Sequence, residues 1–324
     1  MNDFDRVLEQ LELSDSAVRA LSNLLNDELA QLAAFWPQLS TQRRRALVAR
    51  MVENAEADFE LDFSQVFTMG LHDRDPLVRV SCIEGLWENE DFALIRPLAR
   101  LLGEDESVLV REAAAVSLSR FALLAELGKL QPRYVDLVWD ALWNAVHRAH
   151  EDLAVCRRAV ESIAYFSRPE VKTIIEQAYR HDEPKMQVSA VFAMGHSADQ
   201  AWVDVVQEEL DSPDAEIRYE AVRACGALHV AEAIPALSRL AADADAQVRV
   251  MAVWALGQIG GPEATRVLEI CCGQGDEALR EAADEALAEM DFMQGALDFS
   301  MYDFAPALDD EDDLEADDNI EYLC

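Results

Sequence analysis

Three histidines in this chain stand directly before an acid: His72-Asp73, His150-Glu151 and His181-Asp182. Imidazole and carboxylate together form the donor set of a mixed metal site, and three such pairs brought together could hold a divalent ion. A second reactive pairing is Cys271-Cys272, which raises the question of thiol chemistry. Both have plainer readings. Each His-acid pair falls in a turn, where a capped turn with an exposed imidazole is the expected outcome. Adjacent cysteines near a helix end lack the Cys-x-x-Cys spacing. The six cysteines (82, 156, 225, 271, 272 and 324) make no framework, so free thiols packed in a reducing cytoplasm are expected. No catalytic residue, metal or cofactor is therefore expected.

A third pattern is regular. Asp214, Asp245 and Asp276 each stand four residues before an arginine (Arg218, Arg249, Arg280), and Glu183 stands four before Gln187. The anchors at 187, 218, 249 and 280 are 31 apart each time. A fixed period in this range marks a stacked repeat protein. The acid serves as a helix N-cap, and the arginine can reach a cap or loop of the neighbouring repeat. These arginines, with Arg79 and Arg111 at the same register upstream, are read as structural.

The elements that carry this pattern are helices. Only 12 Gly and 10 Pro occur in 324 residues, apolar residues make up 51%, and no alternation suited to a sheet is sustained. Residues 1–26 read as an N-terminal helical cap, and 27–290 as a solenoid of about eight helix pairs. The step from Arg111 to Arg157 is 46 residues, 15 beyond the period. The extra length lies around residues 123–134, with Gly128 and Pro132 as breakers, and is expected to lengthen two helices and their connection. Residues 291–324 hold 12 acids and no base, a third of the net charge of −36. The block Asp309 to Asp313 repels itself, so this acidic, partly hydrophobic tail is expected to be disordered.

With each anchor set as position zero, positions three and six of the second helices are small and position seven is apolar, as a close-packed core requires. Positions one, five and eight vary from repeat to repeat, which marks a surface. Around the middle of the chain they read Arg158, Tyr165, Val188, Phe192, Tyr219, Arg223, Val250 and Trp254. Aromatic and arginine residues on one face are the usual anchors of an interface.

Asp-x-x-Val-Arg-x-x-Ala followed by Ala-Leu-Gly, as in Asp245 to Gly257, resembles the HEAT repeat, and more narrowly the short-period HEAT-like repeats of phycobilin lyases. The resemblance covers about Pro76 to Met290. It implies an all-α, right-handed superhelix whose second helices line a concave, protein-binding face. A related group of HEAT-like metal hydroxylases places His-Glu pairs at the starts of these helices. Here the matching positions read Tyr219-Glu220, Val250-Met251 and Glu281-Ala282, so the ligand histidines are missing.

With 27 basic against 63 acidic residues, the charge opposes nucleic acid and anionic membrane as partners. It suits another protein, and a basic one is compatible. No apolar run reaches membrane-spanning length, and the first residues lack a signal-peptide pattern. The expectation is a cytoplasmic, non-enzymatic scaffold or adaptor that binds a partner protein in its concave groove. The acidic tail would dock intramolecularly near Arg158 and Arg223 or make a second contact. The alternative is a chromophore-attachment helper like the lyases, or a metal enzyme using the turn histidines.

Overall fold

The computed structural model describes residues 15–274 and 276–302, and every regular element among them is helical. A short helix, α1 (Asp15–Arg19), leads into eight pairs. The first four are α2 (Asn26–Phe35) with α3 (Thr41–Ala57), α4 (Ser64–Gly70) with α5 (Pro76–Gly85), α6 (Ile95–Glu104) with α7 (Val108–Glu126), and α8 (Pro132–His147) with α9 (Leu153–Ile163). The remaining four are α10 (Pro169–Tyr179) with α11 (Pro184–His196), α12 (Val203–Glu208) with α13 (Ala215–Ala227), α14 (Ile234–Leu240) with α15 (Ala246–Ile259), and α16 (Gly261–Gln274) with α17 (Glu277–Tyr302).

The second helix of every pair touches the second helix of the next, from α3 through to α17, so these eight form one continuous layer. The first helices lie on its other side. The core runs between the two layers and is built from the expected register. Position three is fully buried at Cys82, Ala114, Ala190, Ala221, Ala252 and Ala283. Position seven is equally closed at Leu118, Met194, Cys225 and Leu256.

The aspartates start their helices as anticipated, while Glu183 stands at the N-cap position without a side-chain cap hydrogen bond. Asp75 accepts from the Val78 amide, Asp214 from Glu216, Asp245 from Gln247 and Val248, and Asp276 from Leu279. Each cap of this kind is worth about 1 kcal/mol. The arginines then join repeat to repeat. Arg79 donates to its own turn at Asp73 O (2.7 Å) and to Asp105 Oδ1 of the next turn (2.7 Å). Arg111 does the same with Asp105 O (2.8 Å) and Glu151 Oε1 (2.7 Å). Arg218 uses Ser212 O (2.9 Å) and Asp243 Oδ1 (2.9 Å), and Arg249 uses Asp243 O (3.0 Å) and Asp276 Oδ2 (3.1 Å). The ladder is anchored at its start by Asp73, which accepts from Trp36 Nε1 (2.6 Å) and from Arg44 Nε (2.8 Å) and Nη2 (3.1 Å).

The added 15 residues lengthen the third and fourth pairs. Helix α7 has 19 residues against 10 in α5, because no breaker interrupts it before Gly128. There the chain turns at φ +69°, with Lys129 N–H donating to Leu124 O and Gly128 N–H to Ala125 O, a Schellman stop. One boundary needs correction. The chain is helical through Tyr302, so residues 291–302 are not a disordered tail. Apolar residues continue at helical spacing past Met290, and the first proline comes only at Pro306. Residues 303–324, including the acidic block, lie outside the described residues.

Candidate partner-binding face

The face of the second-helix layer turned away from the first helices is not uniform along the stack. In the regular repeats, part of what varies in sequence is used for packing. A Cβ on Gly195 would sit 2.8 Å from Ala224 Cα, one on Gly226 would sit 2.9 Å from Ala255 Cα, and one on Gly257 would sit 3.0 Å from Ala286 Cβ. Position eight of one repeat thus meets position six of the next. This close approach carries the following helix over its neighbour, and Val188 is buried as a result, at 8% exposure.

The other sequence-selected residues divide into two groups. Val250 and Trp254 on α15 remain exposed, each at 37%. Tyr219 is half-buried and lines, with Val188, Glu220 and Gln247, a small recess of about 120 Å³. Arg158, Tyr165, Phe192 and Arg223 come together across α9, α11 and α13. The Arg223 guanidinium lies 4.0 Å over the Phe192 ring. On that ring His196 stacks at 4.1 Å, and Tyr165 meets His196 edge-on at 5.1 Å.

The arginines of this cluster are already engaged. Arg158 Nη1 donates to Glu161 Oε2 (2.6 Å) and Nε to Glu112 Oε1 (3.3 Å). Glu161 also accepts from Ser189 Oγ (2.6 Å), and Ser189 accepts from Arg157 Nε (2.9 Å). Arg223 Nη2 stands 2.6 Å from Glu220 Oε2, an ion pair that is out of line for a hydrogen bond, so neither atom has a hydrogen-bond partner. Burial pushes the Glu220 carboxyl up to about 7, against the pull of Arg223. It also lowers His196 and raises Tyr165. The middle of the face is therefore a self-neutralised polar network, and its cations are not available as isolated charges.

A wider opening than that recess lies on this face nearer the N-terminus. A groove of about 850 Å³ crosses α3, α5 and α7, and every residue lining it belongs to those helices or the turn just after α5. Its members include Val80, Glu84, Trp87, Glu112, Val116 and Ser119, which are positions one, five and eight of the two repeats around Arg79 and Arg111. The register that selected the central patch therefore also marks the groove. Aromatic content favoured the centre, because only the packing between repeats separates side chains that are open from side chains that are covered.

Of the turn histidines, His181 is tied into its own turn. His181 Nδ1 accepts from the Glu183 amide, and Gln187 donates to His181 O. Among the described residues no three His, Cys, Asp or Glu side chains converge as a metal site. Cys82, Cys156, Cys225, Cys271 and Cys272 are free thiols, and burial raises every one of them, which makes them poor nucleophiles.

A family model for HEAT repeats matches residues 203–288. No curated protein matches the sequence. Among solved structures, the complex of CpcE and CpcF of phycocyanin lyase from a Nostoc species is similar at 18% identity and a TM-score of 0.50, over 70% of this chain and 87% of that one. Yeast importin-beta (Kap95p) is similar at 13% identity and a TM-score of 0.50, over 89% of this chain and 43% of that one. Human deoxyhypusine hydroxylase is similar at 14% identity and a TM-score of 0.35, over 90% and 96%. Identities this low speak to the fold alone. Residues 203–288 thus match HEAT repeats, and the helix pairs before them continue the same all-α superhelix.

Proposed function

We propose that this protein is a non-enzymatic, cytoplasmic scaffold that binds another protein on the face of its second-helix layer. The observation that carries this reading is the groove across α3, α5 and α7, which leaves large apolar side chains in water on a face bounded by carboxylates. Exposed apolar surface of this kind, rimmed by polar groups, marks an interaction site. A net charge of −36 favours a basic client and repels nucleic acid and anionic lipid. The exposed Val250 and Trp254 supply a second contact toward the C-terminal end, and the acidic tail stands as a competitor or a further contact for a basic client.

Affinity purification of the full chain from its native host tests this, with Trp87→Ala and Trp254→Ala introduced together and with rising salt. A partner that is retained by the wild type, weakened by the double variant and released as ionic strength rises supports the reading. Equal recovery from wild type and double variant at all salt concentrations counts against it.

A further inference from the structure

The groove is more specific than a generic sticky patch. Trp87, in the turn just after α5, is 63% exposed, and Leu109 and Val116 on the adjoining α7 are 52% and 48% exposed. Nothing from the first-helix layer lines it, so the groove has a floor and two walls but no roof. Pockets for small molecules bury most of the ligand surface, which an unroofed groove of this size does not do. A partner that brings its own apolar surface closes it.

Its charge is one-sided. The carboxylates of Glu56, Glu84 and Glu112 line it, and Arg120 is the basic residue among them. Arg120 is held in place, its Nε donating to Asn89 O (2.9 Å), its Nη1 to Ser117 Oγ (2.6 Å) and its guanidinium lying 4.5 Å over the Phe121 ring, while its buried Nη2 has no hydrogen-bond partner. Arg158 partly answers Glu112 at 3.3 Å. Among the described residues neither Glu56 nor Glu84 has an ion-pair partner, and desolvation raises the Glu84 carboxyl. A carboxylate kept against an apolar wall without a counter-charge is matched by a cation supplied from outside.

The backbone around the groove restricts the form of that partner. The groove walls are α3, α5 and α7, whose amides and carbonyls are satisfied within their helices, so there is no strand edge for an extended peptide to pair with. A segment seated in an apolar groove must then satisfy its own backbone, which a helix does. The added length of α7 serves the same end. Leu123 and Leu127, 42% and 58% exposed, follow Val116 at helical spacing and carry the apolar stripe beyond the groove.

We propose that this groove receives an amphipathic helix of a partner protein, its apolar ridge on Val80, Trp87, Leu109 and Val116 and its lysines or arginines against Glu56, Glu84 and Glu112. The proposal rests on the scaffold reading above and deepens it. A second copy of this chain is a poor occupant, because two molecules of charge −36 repel. The chain's own tail is equally poor, since residues 303–324 add acids to an acidic rim.

The test uses the full chain and a fluorescent leucine–lysine peptide of about 18 residues, patterned as an amphipathic helix. A leucine–glutamate peptide of the same pattern and a scrambled leucine–lysine peptide serve as controls. Anisotropy is read at about 150 mM salt, where long-range attraction to an acidic protein is largely screened. The patterned leucine–lysine peptide should bind, and the two controls should not. Trp87→Ala and Val116→Asp should each weaken it at least about tenfold, an energy of about 1.4 kcal/mol. Glu56→Lys with Glu84→Lys should shift preference toward the leucine–glutamate peptide. Circular dichroism of each variant checks the fold, and the lysine pair changes only surface groups. Equal binding of patterned and scrambled peptides, no binding at all, or binding indifferent to these substitutions overturns the proposal. If binding instead falls with Trp254→Ala and Phe192→Ala, the groove assignment is wrong while the scaffold reading stands.

Discussion

At the scale of single residues, charge in this protein is mostly spent on the stack. Arg79, Arg111, Arg218 and Arg249 each tie their own turn to the next, and Asp73 collects Trp36 and Arg44 at the first junction. Glu220 differs, because its environment opposes its charge. Unfolded, it titrates near 4.5; folded, burial between α13 and its neighbours raises it to about 7, with Glu161 and Arg158 facing it from α9 and Arg223 from its own helix. Between those values the native chain holds the proton more tightly. The residue therefore favours the native state at acid pH, and that contribution is lost as pH rises through about 7. Glu220→Gln should then raise stability at about pH 8 by roughly 1–3 kcal/mol and leave it nearly unchanged near pH 5. Urea denaturation of both proteins at the two pH values reads this directly. A constant difference between them would mean that Glu220 is not desolvated.

At the scale of elements, much was legible in the sequence. The 31-residue step, the capping acids and the small residues at positions three and six define pairs, layers and register, since each follows from local chemistry repeated in the same place. The arginine reach across repeats was equally readable. The fate of positions one, five and eight was not, because it depends on how closely one repeat sits on the next. Gly195, Gly226 and Gly257 look like open surface in sequence and prove to be contact points between helices. Gly226→Ala puts a methyl group within 2.9 Å of Ala255 Cα and 2.8 Å of the Trp254 ring. It should cost about 1–3 kcal/mol, seen as a lower thermal midpoint, and should also move Trp254. Gly273→Ala, with nothing near its Cβ, is the control and should leave the midpoint unchanged or slightly raised. The boundary at residue 290 was misplaced for a related reason. The change in composition there is real, but composition alone does not end a helix whose apolar spacing continues.

At the scale of the whole molecule, the fold supplies one long face and the sequence decorates it unevenly. The N-terminal third opens an apolar, acid-rimmed groove, the middle neutralises itself, and Val250 with Trp254 re-exposes apolar surface toward the end. Composition could not have told these stretches apart, since all three carry acids and apolar residues in similar measure. Side-chain footprinting by hydroxyl radicals, on the free protein and on the complex purified from its host, tests the central claim most directly. Trp87, Leu109 and Trp254 should lose reactivity in the complex. Ile270 on α16, 57% exposed on the first-helix layer, should keep it. Protection of Ile270 with Trp87, Leu109 and Trp254 unchanged would place the partner on the opposite layer and contradict the account.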